Sequence, residues 1–179
     1  VGSEMCIRDR YVTVARNGVQ SDIIAAAKSW AVKFGATYLE RQYNKSVEQL
    51  LSEDGVGAVI VFEKNGPCIH SSYGTFSYHP GMAVLRMQQI QQGKKDYLAE
   101  ALALTEKNRV LDCTLGLAAD AMIAAHYLGP DGYVVGLEAS PLIHCAVKYG
   151  LEHYKTNSDA LNAAMGKINT ICILSLIHI

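Results

Sequence analysis

RVLDCTLGLAAD, residues 109–120, is the stretch that decides the fold. An apolar strand closes on Asp112, a turn with one glycine follows at Gly116, and a helix opens near Asp120. A second short strand, YVVGL from Tyr133 to Leu137, then ends on Glu138. Strand, glycine turn, helix, strand, acid is the first half of a nucleotide-binding crossover unit. A pyrophosphate needs close backbone approach over several residues, hence the multiple glycines of dinucleotide sites. This turn instead continues Leu117, Ala118, Ala119, and it puts a carboxylate at Asp120, where a phosphate would be repelled. The expected ligand has an adenosine-like ribose for Glu138 and a positive or zwitterionic group near Asp112 and Asp120. S-adenosyl-L-methionine meets that description; ATP and NAD meet it poorly.

A length of 179 residues suits one domain or a domain with a small appended lobe. Half of them are hydrophobic and 18% charged, enough to build a core, while no apolar run approaches a bilayer span. A formal net charge of −1 means that binding of nucleic acid needs a local basic patch rather than a global field. The cysteines at 6, 68, 113, 145 and 172 show neither metal-ligand nor disulfide-framework spacing, so reduced thiols and a cytoplasmic location are expected.

Both ends look foreign. VGSEMCIRD, residues 1–9, can be encoded by GTG GGC TCG GAG ATG TGT ATA AGA GAC, and LSLIHI, residues 174–179, by CTG TCT CTT ATA CAC ATC. The second string is the reverse complement of GATGTGTATAAGAGACAG, which the first contains up to the codon of Arg10. Protein termini have no reason to be reverse complements, and a translated sequencing adapter at both ends explains it. A native signal segment does not, because residues 1–10 lack an apolar h-region. Residues 1–10 and 174–179 are therefore expected to be artefact, with 11–173 an internal piece of a longer protein.

Within that piece, Tyr11 to Ala15 alternates like a strand, and Ser21 to Phe34 reads as an amphipathic helix capped by Ser21 and stopped by Gly35. Ser46 and Gln49 form a capping-box pattern for a second helix. Ala58–Glu63 and Cys68–Tyr73 read as strands joined through Asn65-Gly66-Pro67. These elements predict a small α+β lobe over 11–78. After the break at His79-Pro80-Gly81, helices are expected over Met82–Gln92 and Tyr97–Leu104, ahead of the strand at Val110. Ser140-Pro141 starts a helix running to about Tyr154, Asp159–Lys167 is helical, and Ile168–Ile173 is a third apolar strand. Strands alternating with helices predict an α/β fold, an open parallel sheet with helices on both faces, over 79–173.

Other residues offer chemistry with plainer alternatives. Arg86, Lys94 and Lys95 either contact RNA phosphate or form a solvated helix end. His79 is either an active-site imidazole or a structural residue at a helix start. His126, His144 and His153 lack ligand spacing, so no metal site is expected. Cys113 sits in the cofactor strand as a packing residue.

The run D-x-T-x-G-L-x-x-D-A, carried by Asp112, Thr114, Gly116, Leu117, Asp120 and Ala121, resembles the ribosomal small-subunit RNA guanine-N2 methyltransferase J family, including its bacterial branch of unassigned substrate. His79-Pro80-Gly81-Met82-Ala83-Val84-Leu85-Arg86 resembles that family's M-A-x-x-R helix, and Leu137-Glu138-Ala139-Ser140-Pro141 its acid-containing turn. The similarity runs from about His79 to Ile173, and the small N-terminal lobe also looks like the branch of unassigned substrate. It implies a Rossmann-like methyltransferase fold, S-adenosyl-L-methionine as cofactor, contacts to it from Ala119-Asp120 and Glu138-Ala139, and ribosomal RNA or the small ribosomal subunit as partner. Ala118 stands where a second glycine is common, and Ala119 and Ala139 replace polar or basic residues, so contacts there must come from backbone groups. The resemblance places the methyl-acceptor chemistry in an Asp-Pro-containing loop after a fourth strand. No such loop is in the sequence, so no catalytic residue is assigned and the piece alone is expected to be inactive. An NAD(P)-linked oxidoreductase is disfavoured by the single glycine and Asp120; a non-catalytic cofactor-binding module is the remaining alternative.

Overall fold

The computed structural model describes residues 9–15, 20–40 and 45–175. Residues 1–8 and 176–179, most of the two adapter-like stretches, lie outside the described residues. The chain divides into two compact units, Val1–Ser77 and Tyr78–Ile179.

The first unit is a five-stranded mixed sheet in the order β2-β1-β3-β4-β5. Its elements are β1 (Asp9–Val14), α1 (Ser21–Phe34), β2 (Thr37–Tyr38), α2 (Val47–Leu51), β3 (Val56–Glu63), β4 (Gly66–Ser71) and β5 (Gly74–Ser77). β1 runs parallel to both β2 and β3, whereas β3, β4 and β5 form an antiparallel meander. α1 buries Ala27, Trp30 and Ala31, and the Trp30 ring meets Phe62 of β3 edge-on at 5.1 Å. Gly35 closes the helix with φ 58°, a left-handed conformation that a residue with a Cβ adopts at a cost. The cap of α1 is Gln20 rather than Ser21: Gln20 is extended and its carbonyl accepts the Ile24 N–H, so Ser21 is already helical. The capping box of α2 forms as its sequence predicts, with Ser46 Oγ accepting from Gln49 N (3.1 Å) and Gln49 Oε1 accepting from Ser46 N (2.7 Å). The hairpin turn falls earlier than expected. Gly66 and Pro67 pair with Glu63 and Phe62 and belong to β4.

The second unit holds α3 (Gly81–Gln91), α4 (Tyr97–Ala101), β6 (Val110–Asp112), α5 (Ala119–Tyr127), β7 (Val134–Glu138), α6 (Pro141–His153), α7 (Asp159–Met165) and β8 (Ile168–Cys172). β6, β7 and β8 pair in that order, all parallel, flanked by helices. Asp112, Gly136 and Thr170 share one register row and hence one face; Leu111, Val135 and Asn169 share the row on the other. α5 is covered on every side, since five consecutive residues, Ala121 to Ala125, are buried. α6 starts as expected, with Ser140 as cap and Pro141 at its first position. α4 stops at Ala101, short of the expected Leu104, because Ala103 turns to φ 48° and leaves the helix.

Candidate functional site

β6 and β7 end side by side, and the carboxyl ends of adjacent parallel strands are where open α/β sheets bind ligands. Asp112 is the last residue of β6, and its Oδ1 accepts the Thr114 N–H at 3.0 Å, starting the turn. Burial pushes the Asp112 carboxyl above its ordinary range, and the negative charge of Asp120 pushes the same way. The turn is tied to the neighbouring strand: Leu115 N donates to the Leu137 carbonyl at 3.0 Å. The Leu115 side chain fills the space over Gly136, where a Cβ would lie 2.4 Å from Leu115 Cδ1. A side chain at 136 would displace Leu115 from this seat.

Gly116 (φ 50°) and Ala118 (φ 61°) are both left-handed, so the turn has the backbone of a two-glycine loop although one position is alanine. Ala118 N donates to Leu115 O at 2.7 Å, and Ala118 then serves as the N-cap of α5 with no side-chain hydrogen bond to the first turn. Ala119 and Asp120 are the first two residues of α5. The first-turn N–H groups, unsatisfied by any side-chain cap, carry the positive end of the helix dipole.

Glu138 ends β7 two residues beyond Gly136, on the same face as Asp112. Its Oε1 accepts the Ser140 N–H at 2.9 Å, which turns the carboxylate toward the start of α6. Ala139 follows it, exposed. Asp112, Gly116, Ala119 and Asp120 thus belong to one strand–turn–helix corner, and Glu138 and Ala139 to the end of the adjoining strand.

Arg86 has a different place from the phosphate-contacting one considered for it. Its Nε and Nη2 each lie 2.9 Å from a carboxylate oxygen of Asp96, and its Nη1 donates to Asp120 Oδ1. Asp96 was not among the sequence candidates, yet its N-cap position ahead of Tyr97 is readable as an acid preceding a helix. Lys95 pairs with Glu100 at 2.6 Å. The His79 ring accepts the Gly81 N–H through Nδ1 at 3.1 Å, at the start of α3. Among the described residues no three His, Cys, Asp or Glu side chains gather as a metal-ligand set, and no helix is long and apolar enough to cross a membrane. A hollow of about 550 Å³ lined by residues of 106–109 and 129–131 lies before β6 and after α5, at the opposite ends of these elements from the corner just described.

No family model matches the chain. It is 33% identical over 145 residues to the uncharacterized protein YpiP of Bacillus subtilis (strain 168), a match covering 81% of the chain and 56% of YpiP, so the chain spans about half the length of this curated relative. Among solved structures it is similar to the SAM-dependent methyltransferase NGO1261 from Neisseria gonorrhoeae, with a TM-score of 0.52 at 13% identity over 92% of the chain and 60% of that protein. This likeness shows a shared Rossmann-like α/β fold. TrmN from Thermus thermophilus aligns at a TM-score of 0.34 and 14% identity, over 92% of the chain and 46% of TrmN.

Proposed function

We propose that the corner formed by β6, α5 and the end of β7 binds S-adenosyl-L-methionine, and that the protein of which this sequence is a part is a methyltransferase using it. The observation that carries this reading is the charge pattern around the turn. Asp112, Asp120 and Glu138 stand at the ends of adjacent elements, and Arg86, the cation that reaches Asp120, is shared with Asp96, so the acids outnumber it. A pyrophosphate would meet net negative charge there, whereas a sulfonium or ammonium would be attracted. Glu138 at the end of the second strand is the acceptor for ribose hydroxyls. The uncapped first turn of α5 offers N–H donors to the ligand's carboxylate. These donors and acceptors fit the cofactor's adenosine, ammonium and carboxylate groups.

When bound, the cofactor supplies an electrophilic methyl group. The residues described here orient it: Glu138 fixes the ribose, and the 114–118 turn fixes the amino-acid end by backbone groups. In-line methyl transfer then depends mainly on holding donor and acceptor at the attacking distance. For the acceptor we infer a guanine N2 of small-subunit ribosomal RNA, on the family resemblance of 79–173; the 11–78 segment is taken as a small N-terminal α+β lobe ahead of the cofactor-binding part.

The test is direct titration of the longer protein with S-adenosylhomocysteine. Asp120→Ala and Glu138→Ala are each expected to weaken binding about tenfold, the loss of one charge-assisted hydrogen bond. Binding of NADH with none of S-adenosylhomocysteine would overturn the reading.

A further inference from the structure

Asp120 is not a free carboxylate at a helix end. Arg86 of α3 grips Asp96 with two parallel N–H···O bonds, and the remaining Nη1 reaches Asp120. The Asp96 side is over-determined. Asp96 is buried, and its Oδ1 also accepts the N–H groups of Leu98 and Ala99, capping α4. A bidentate fork fixes the plane of the guanidinium, so the direction of Nη1 follows from Asp96. Exposure divides the cluster in the same sense: the Arg86 side chain is 21% exposed and that of Asp120 66%. One guanidinium shared by two carboxylates leaves one surplus negative charge, carried by the solvent-facing member. Arg86 holds the Asp96 carboxyl below its ordinary range, in keeping with a permanently charged pair. Asp120 keeps one oxygen, Oδ2, without a hydrogen-bond partner among the described residues.

We infer that Arg86 is a positioning residue. It fixes Asp120 through one carboxylate oxygen and leaves the other available to the ammonium of the cofactor's amino-acid end, so that this end, rather than the adenosine, is the part of the ligand that the Asp96–Arg86–Asp120 chain would read. The inference rests on the cofactor reading above. Without Arg86, the Asp120 side chain can swing to the unsatisfied first-turn N–H groups of its own helix, and its ordering must be supplied at binding.

Two ligands separate the ends of the cofactor. S-adenosylhomocysteine carries the ammonium and carboxylate; 5′-methylthioadenosine keeps the adenosine and sulfur but lacks both. Arg86→Met is expected to weaken S-adenosylhomocysteine about fivefold to tenfold and to leave methylthioadenosine within about twofold. Asp120→Asn should act alike, and the double variant should bind no more weakly than Asp120→Asn alone. Arg86→Met strands a buried charge on Asp96, so Arg86→Met/Asp96→Asn is made beside it, keeping the α4 cap without the charge. It should show the same selective loss. Equal loss of both ligands, or an unchanged S-adenosylhomocysteine affinity, would overturn the positioning role while leaving the cofactor reading intact. A wild-type protein that binds neither ligand would overturn the cofactor reading itself.

Discussion

Ala118 holds a backbone conformation that an L-residue adopts at a cost of about 1–2 kcal/mol, and it does so fully buried. From sequence, alanine at this position reads as a departure from the glycine common there. The turn nevertheless keeps the glycine geometry, because the Ala118 N–H bonds Leu115 O and its carbonyl starts the α5 ladder. Asp112 is costly in a different way. Its carboxyl is pushed up by burial and by Asp120, so the folded chain holds this proton more tightly than the unfolded one. Where the native state binds more protons, stability falls as pH rises. The penalty is absent below the ordinary carboxylate range, grows as pH rises from that range to the raised value, and is complete above it. Asp112→Asn, which keeps an acceptor for Thr114 N–H, is therefore expected to stabilise the free protein at pH 7 and to be neutral in acid, while weakening cofactor binding. Denaturation series at several pH values would show it, and an equal stability change at all pH values would contradict it. That Asp112 and Glu138 end strands and Asp120 opens a helix was legible because acids at such places stand out against apolar runs. Arg86 with Asp96 was not, since an ion pair across ten residues and a turn leaves no periodic trace.

Elements with their own punctuation were legible. The α6 start follows from Ser140-Pro141, the α2 start from Ser46 and Gln49, and the α1 stop from Gly35. β2 and β5 were not, because two and four residues are too few to show alternation; their partners define them. Packing between elements gives a sharper expectation at Gly150 of α6. A Cβ there would lie 2.1 Å from the Tyr78 ring, which is buried and donates its hydroxyl to Met122 Sδ at 3.7 Å. In an open helix Gly→Ala gains about 1 kcal/mol. Here the ring has to move, and overpacking of this kind costs about 1–3 kcal/mol. Gly150→Ala should lower the midpoint of thermal unfolding, and Gly150→Ala/Tyr78→Phe should recover none of it, because the clash is with the ring and not the hydroxyl. A raised midpoint in the single variant would refute the tight contact.

At the scale of the molecule, the Rossmann-like fold was readable because strand–helix alternation leaves few topologies for a parallel sheet. The mixed sheet of the first unit was less so, since order β2-β1-β3 depends on long-range pairing. Leu111 and Ile171 lie on the sheet face opposite Asp112 and are 56% and 47% exposed, and Ile173 and Leu174 beyond β8 are exposed as well. Apolar area of this kind at the edges of a three-stranded sheet favours association. The 179-residue chain is expected to bind an apolar dye and to self-associate with rising concentration, and Leu111→Thr/Ile171→Thr to reduce both. Light scattering that is flat with concentration for the unaltered chain would contradict it.

The bond from Leu115 N to the Leu137 carbonyl, with the Leu115 side chain seated over Gly136, has a kinetic meaning beyond its geometry. It makes the turn before α5 and the strand end that carries Glu138 one mechanical piece, like two jaws cast from a single block. In the cofactor site proposed above, a ligand reaching across them would find their spacing already set. Its rate of capture is then governed by how often it arrives and in what orientation, not by the time the protein takes to rearrange around it.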